Sequence, residues 1–168
     1  MTETVYFKDT FFSTGITEIF NGNKEKIGEL DHKGAFSSSI AIFDQTGALA
    51  VSGKFTFFSR HWVVIDDQEL ELGILKNKLS FFTKKFEYKT HGRGTYRIES
   101  PAFSKEYEIF DKNEELVATF QKTNGFFASP AFQLTNKSSS LSTNELIAVV
   151  MGINSIQKAQ SAAATSSS

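Results

Sequence analysis

Ser142-Thr-Asn-Glu145-Leu-Ile-Ala-Val-Val-Met-Gly-Ile-Asn-Ser-Ile156 is the stretch whose reading decides the fold. Ser142 and Glu145 have the spacing of a capping box. The hydroxyl accepts from a first-turn N–H, and the carboxylate reaches back to the chain ahead of it. Behind the box, Leu146, Ile147, Val149, Val150, Met151, Ile153 and Ile156 surround Ala148 and Gly152, so apolar side chains face all directions. A helix without a polar face lies inside a protein core or a bilayer. Spanning a bilayer takes about 20 apolar residues, and this run is far shorter. The sequence therefore predicts a helix near 142–158 buried by protein, followed by a low-complexity, disordered tail over 161–168.

The rest of the chain must supply the burial, and it is repetitive. Phe12, Phe36, Phe58, Phe82, Phe103 and Phe127 recur at steps of 21 to 24 residues, each followed by Ser, Thr or Ala. Phe11, Phe57, Phe81 and Phe126 precede four of them. An apolar side chain (Ile16, Ile40, Trp62, Phe86, Tyr107, Ala131) stands four places on, and Asp44, Asp66 and Asp111 stand eight places on. A fixed period is a sign of architecture. Each repeat reads as strand, turn and returning strand. In Asp44-Gln-Thr-Gly47 the Asp accepts local backbone hydrogen bonds and the Gly tolerates positive φ. Period-two alternation turns Ile40/Ile42, Trp62/Val64, Phe86/Tyr88 and Tyr107/Ile109 inward, and on the returning strands Leu70/Leu72/Ile74 and Leu116/Ala118/Phe120.

Six hairpins make about 12 antiparallel strands. The expected fold is mainly β: one domain over 1–160, a closed antiparallel barrel whose lumen holds the C-terminal helix. A β-trefoil also has six hairpins but leaves no place for a buried terminal helix.

Composition bounds the function. The 18 Phe suit a pleated core. With a net charge of −1, bulk attraction to nucleic acid is absent, and anion binding requires a local patch. The absence of Cys excludes disulfides and thiolate sites. The N-terminus lacks a basic region followed by an apolar run, so cytoplasmic residence is expected.

The repeated Phe-Phe-Ser/Thr openings, the turn Ile42-Phe-Asp-Gln-Thr-Gly-Ala-Leu49 and the helix Glu145-Leu-Ile-Ala-Val-Val-Met-Gly-Ile153 resemble LURP-one-related proteins, a family of the tubby C-terminal-like superfamily that also holds phospholipid scramblases. The resemblance covers roughly 5–158 and is that of a bacterial-type single-domain member. It implies a tubby-like barrel around a hydrophobic C-terminal helix. Tubby proteins bind phosphoinositides, scramblases act at membranes, and plant members are linked to defence. The Cys-rich and Ca-binding elements of scramblases have no counterpart here, which speaks against scrambling.

The candidate site is basic. Between positions 76 and 97 stand Lys76, Lys78, Lys84, Lys85, Lys89, Arg93 and Arg97 against one acid, Glu87. Alternation points Lys85, Lys89 and Arg97 outward, the Gly92-Arg-Gly94 turn adds Arg93, and Lys84 shares the Phe86 face. Lys85, Lys89, Arg93 and Arg97 are thus the predicted ligands of an anionic phospholipid or membrane surface. The alternative is a solvated face paired to the acids of the preceding hairpin, Glu69 and Glu71 among them. The Phe pairs read as core positions, or as side chains that dip into lipid or a partner. His32, His61 and His91 lack ligand or triad spacing, so no metal or cofactor is expected. Asp66, Asp67 and Glu69 occupy a turn, without the desolvation that raises a catalytic pKa. No helix follows His91-Gly-Arg-Gly94, as a phosphate-binding loop requires. A non-enzymatic lipid-binding module, peripheral at the membrane, is the leading reading. The alternative is a protein-interaction or structural scaffold without a small ligand, and an enzyme comes last.

Overall fold

The computed structural model describes residues 1–166 except Thr14, 34–38, 58–59, 81–82 and 102–103. Its strands are β1 (Glu3–Lys8), β2 (Gly15–Phe20), β3 (Lys26–His32), β4 (Ile40–Asp44), β5 (Leu49–Phe55), β6 (Trp62–Asp66), β7 (Glu71–Lys78), β8 (Thr83–Thr90), β9 (Thr95–Pro101), β10 (Tyr107–Phe110), β11 (Leu116–Thr123) and β12 (Ala131–Asn136). Each pairs antiparallel with its neighbours in sequence, and β1 pairs with β12 from Glu3↔Asn136 to Lys8↔Ala131, closing the barrel. Helix α1 (Thr143–Ser166) starts at one end of the barrel and leaves at the other.

The hairpin turns β2–β3, β4–β5, β6–β7, β8–β9 and β10–β11 lie at the end where α1 begins, and four share one device. The side-chain oxygens of Asn21, Asp44, Asp66 and Asp111 each accept two backbone N–H bonds, from the residues two and four places on, at 2.8–3.1 Å. The residue three places on turns left-handed: Lys24, Gly47, Glu69 and Glu114, with φ of 63°, 83°, 64° and 63°. Only one is Gly. For the others, the two side-chain hydrogen bonds hold a conformation that costs an L-residue roughly 1–2 kcal/mol.

A register shift accompanies each of these turns. One extra residue flips the faces that follow it, and this corrects one predicted face. On β7 it is Gly73 and Leu75 that point inward, while Leu70 is exposed and Leu72 and Ile74 are half-buried. Ile40, Ile42, Trp62, Val64, Phe86, Tyr88, Tyr107 and Ile109 are buried as expected, with Ala118 and Phe120 opposite.

The lumen is filled by α1, where Leu146 through Met151, Ile153 and Ile156 are buried. Trp62 wedges between wall and helix. A Cβ at Gly53 would lie 2.6 Å from its ring, and one at Gly152 would collide with it as well. The indole N–H donates to the Ala148 carbonyl at 3.1 Å. On the neighbouring strands β7 and β8, Gly73 makes room for Tyr88 in the same way, at 2.6 Å.

Burial ends near Ile156, yet α1 runs on to Ser166, where a disordered tail was expected from 161. Ala162-Ala-Ala164 has the highest helix propensity of any such run, and a helix already nucleated in the barrel extends through it at little cost. The 24 residues of α1 span about 36 Å, so its last turns project past the rim.

Candidate functional site

The four predicted ligands do not form one free patch. Arg93 is half-buried and reaches over the start of α1. Its guanidinium donates to both carboxylate oxygens of Glu145, each at 2.8 Å, and to the Leu72 and Ser140 carbonyls, each at 2.9 Å. Glu145, 2% exposed, also accepts from the Tyr88 hydroxyl at 2.6 Å. The bond to Glu145 holds the Arg93 pKa above its usual value against some burial. Burial, followed by the Glu145 charge, pushes the Tyr88 hydroxyl up. Arg93 therefore clasps the start of α1 to the barrel wall. Glu145 also departs from its expected role: Ser142 Oγ accepts from the Glu145 N–H at 3.1 Å, but the carboxylate binds Tyr88 and Arg93. The barrel wall offers a guanidinium, which binds a carboxylate more strongly than a backbone N–H does.

Arg97 is clamped by Glu99 and Glu114, and Lys85 reaches Glu99 at 3.5 Å. Burial would raise the Glu99 pKa, but Arg97 and Lys85 outweigh it and hold the carboxyl low. The pairing acids thus lie on β9, the β10–β11 turn and α1. The expected partner Glu71 meets His91 instead, at 2.6 Å. Lys89 is exposed and joins no ion pair among the described residues. An exposed pair is worth about 0–1 kcal/mol, but pairing still cancels the charge an anion would meet.

The charge left uncompensated gathers at the opposite end, where α1 emerges. Lys84 points inward near the rim, and its ammonium donates to the Ser104 carbonyl at 2.9 Å. Next in the chain, Lys105 lies 4.3 Å over the Phe12 ring and donates to the Asn154 side-chain oxygen at 3.3 Å. Burial lowers the Lys84 pKa. It lowers that of Lys105 too, helped by the charges of Lys158, Lys84 and Lys122. None of these four lysines forms an ion pair with a carboxylate among the described residues. Beside them His32 bonds the Phe11 carbonyl at 3.0 Å. Burial pushes its pKa down, the bond to Phe11 opposes that, and Lys158 adds to it.

Around the rim, Phe55, Arg60, His61, Lys76, Asn77, Lys78, Ile156, Ala159 and Gln160 enclose a recess of about 280 Å³. On the adjoining loops Phe57 is 92% exposed and Leu79 fully so. The Phe pairs follow no single packing rule. Phe11 and Phe12 join the core with Phe120 and Phe132, whereas Phe126 stacks on Tyr6 with ring centres 3.6 Å apart and Phe127 packs edge-on against Phe20. Phe36, Phe58, Phe81, Phe82 and Phe103 lie outside the described residues.

Sequence reasoning missed this end because its cations come from different hairpins and the helix. Asn154-x-x-Gln157-Lys158, a polar stripe on an otherwise apolar helix, was the available signal. Among the described residues no three His, Asp or Glu side chains gather as metal ligands, and no helix is long and apolar enough to cross a membrane.

No family model matches the chain, and no curated protein does. A solved structure does: the X-ray structure of a protein from Arabidopsis thaliana, AT5G01750, is similar at a TM-score of 0.65 and 11% identity, over 93% of this chain and 91% of that one. At that identity the likeness shows the fold alone, a closed barrel around a helix.

Proposed function

We propose that this chain is a non-enzymatic binding module that docks on anionic membrane surfaces through the end where α1 emerges, and that it belongs with the LURP-one-related proteins. The observation that carries the docking is the exposure of two apolar side chains, Phe57 and Leu79, on loops adjoining the recess that Arg60 and Lys76 line. Apolar tips enter the headgroup boundary while the cations meet its phosphates. The family assignment is supported by the repeat pattern and by the shared barrel. On this reading the protein works peripherally, from the cytoplasmic side.

The test is co-sedimentation with vesicles of phosphatidylcholine alone or mixed with phosphatidylserine. Basic residues near an anionic surface contribute on the order of 1 kcal/mol each, so Arg60→Glu/Lys76→Glu is expected to lower partitioning at least tenfold. Lys85→Glu/Lys89→Glu has a far smaller effect. Raising salt weakens binding, since screening acts over about 10 Å at 0.1 M. A wild-type protein that stays in the supernatant at low salt overturns the membrane reading. Phe57 and Leu79 are then the place to seek a protein partner, and the scaffold reading leads.

A further inference from the structure

We propose that Lys84, Lys105 and Lys158, with the side-chain amide of Gln157, form a discrete site for a phosphate dianion at the mouth of the barrel. The site rests on the reading of this end as anion-facing, but it is distinct from the Phe57–Leu79 rim, which needs no defined ligand.

Four observations converge. First, the lysines arrive from three separate elements: Lys84 from β8, Lys105 from the β9–β10 loop, and Lys158 from α1 one turn beyond Asn154. Lys122 stands at the end of β11 beside them. Second, the carboxylates nearby are committed or remote. Glu106 accepts from the Lys122 backbone N–H at 3.4 Å, and Asp31 acts on His32 and pairs with Lys33 at 3.2 Å. The barrel makes ion pairs readily elsewhere, so this omission is local.

Third, the ammonium groups are anchored but not satisfied. Lys84 and Lys105 each give one hydrogen bond to a neutral acceptor, Ser104 and Asn154, which fixes them in place. Each keeps two of its three donors. Fourth, the Gln157 side-chain nitrogen is buried with no acceptor in hydrogen-bond geometry. It lies near the Tyr107 hydroxyl, whose pKa burial raises to about 12 and Gln157 partly restrains. A buried donor left unmet costs about 1–3 kcal/mol. An anion among the lysines would meet it.

A ligand that takes several donors and offsets mutual repulsion among cations is a compact dianion. Phosphate and phosphate monoesters carry about −1.5 to −2 at neutral pH, with three or more acceptor oxygens. A lipid headgroup monoester and a free phosphate present the same atoms.

The experiment follows lysine side-chain resonances of the full chain as inorganic phosphate replaces chloride at constant ionic strength. The resonances of Lys84, Lys105 and Lys158 shift saturably, and the Lys105 pKa rises. Lys158→Met, on the exposed helix surface, weakens phosphate binding at least tenfold. Lys105→Met does the same where circular dichroism shows it folded, and Lys89→Met leaves binding unchanged. If phosphate moves none of the three lysines, or only as much as chloride does, the site is overturned, whatever the vesicles do. Vesicles with phosphatidic acid, compared with charge-matched phosphatidylserine, then identify the source. Preference for phosphatidic acid, lost in Lys158→Met, shows a headgroup monoester, and phosphate binding without vesicle preference shows a soluble one. Saturable phosphate binding with no vesicle binding supports the site while overturning the membrane reading alone.

Discussion

The two ends of the barrel handle charge in opposite ways. At the tight-turn end, Asp44, Asp66 and Asp111 bend their oxygens into the backbone, and Arg93 and Glu145 neutralise each other under cover. At the other end Lys84, Lys105, Lys122 and Lys158 share a rim without a carboxylate partner among the described residues; burial holds Lys84 and Lys105 below their usual pKa, and repulsion from the other lysines adds to it at Lys105. The helix agrees with this polarity at its N-terminus, where Glu145 stands in the first turn. A chain of net charge −1 is therefore electrically lopsided. The end that satisfies its charges is built for stability, and the end that does not is where function is to be sought.

The strongest test of this contrast removes one half of the clasp. Arg93→Met leaves the Glu145 carboxylate buried and unpaired, and breaking such pairs costs about 3–5 kcal/mol. Urea unfolding should show that loss; a loss below about 1 kcal/mol would break the comparison. Arg93→Met/Glu145→Leu should regain most of it, because replacing both members of a buried pair is often neutral or better.

Midway along the lumen, Gly152→Ala drives a methyl into Trp62 and is expected to cost about 1–3 kcal/mol through overpacking. Thermal unfolding monitored by tryptophan fluorescence reports both the loss and the altered ring environment.

At the loop end the effects are smaller and depend on pH. The native state holds His32 neutral, with a pKa below the ordinary 6.5, so the unfolded chain takes up a proton first as pH falls. This contribution is complete above about pH 6.5 and is lost as pH drops through the lower native pKa. Stability curves of wild type and His32→Gln should converge in acid. The smallest effect is expected for Lys105→Met, which removes a repelled charge: stability should stay within about 0.5 kcal/mol. A drop as large as that of Arg93→Met would mean that both ends are structural.

The fold was legible wherever one residue type does one job. Asp44 and Asp66 open turns, Trp62 and Tyr88 face the lumen, and the residues from Leu146 on have no polar side, so strand number, closure and the internal helix all follow. The face of β7 was not legible, because the extra residue after Asp66 depends on a left-handed Glu69 that no side-chain pattern announces. The site was less legible still. The Arg93–Glu145 pair was hidden because its members lie 52 positions apart, and nearby sequence had already assigned Glu145 to a cap. Lys84, Lys105 and Lys158 meet only because the barrel closes around the helix.

The pairing of β1 with β12 has a kinetic corollary. The first strand waits for the last, and the helix that fills the lumen follows both in the chain. Until the C-terminal segment has been made, the nascent polypeptide is a curling sheet with two open edges and a row of Phe and Trp side chains turned toward an empty interior. Loop closure over this distance carries its entropy cost before any contact repays it. The slow step of folding is then insertion of the helix with sealing of the seam, and chaperone engagement should be longest just before it.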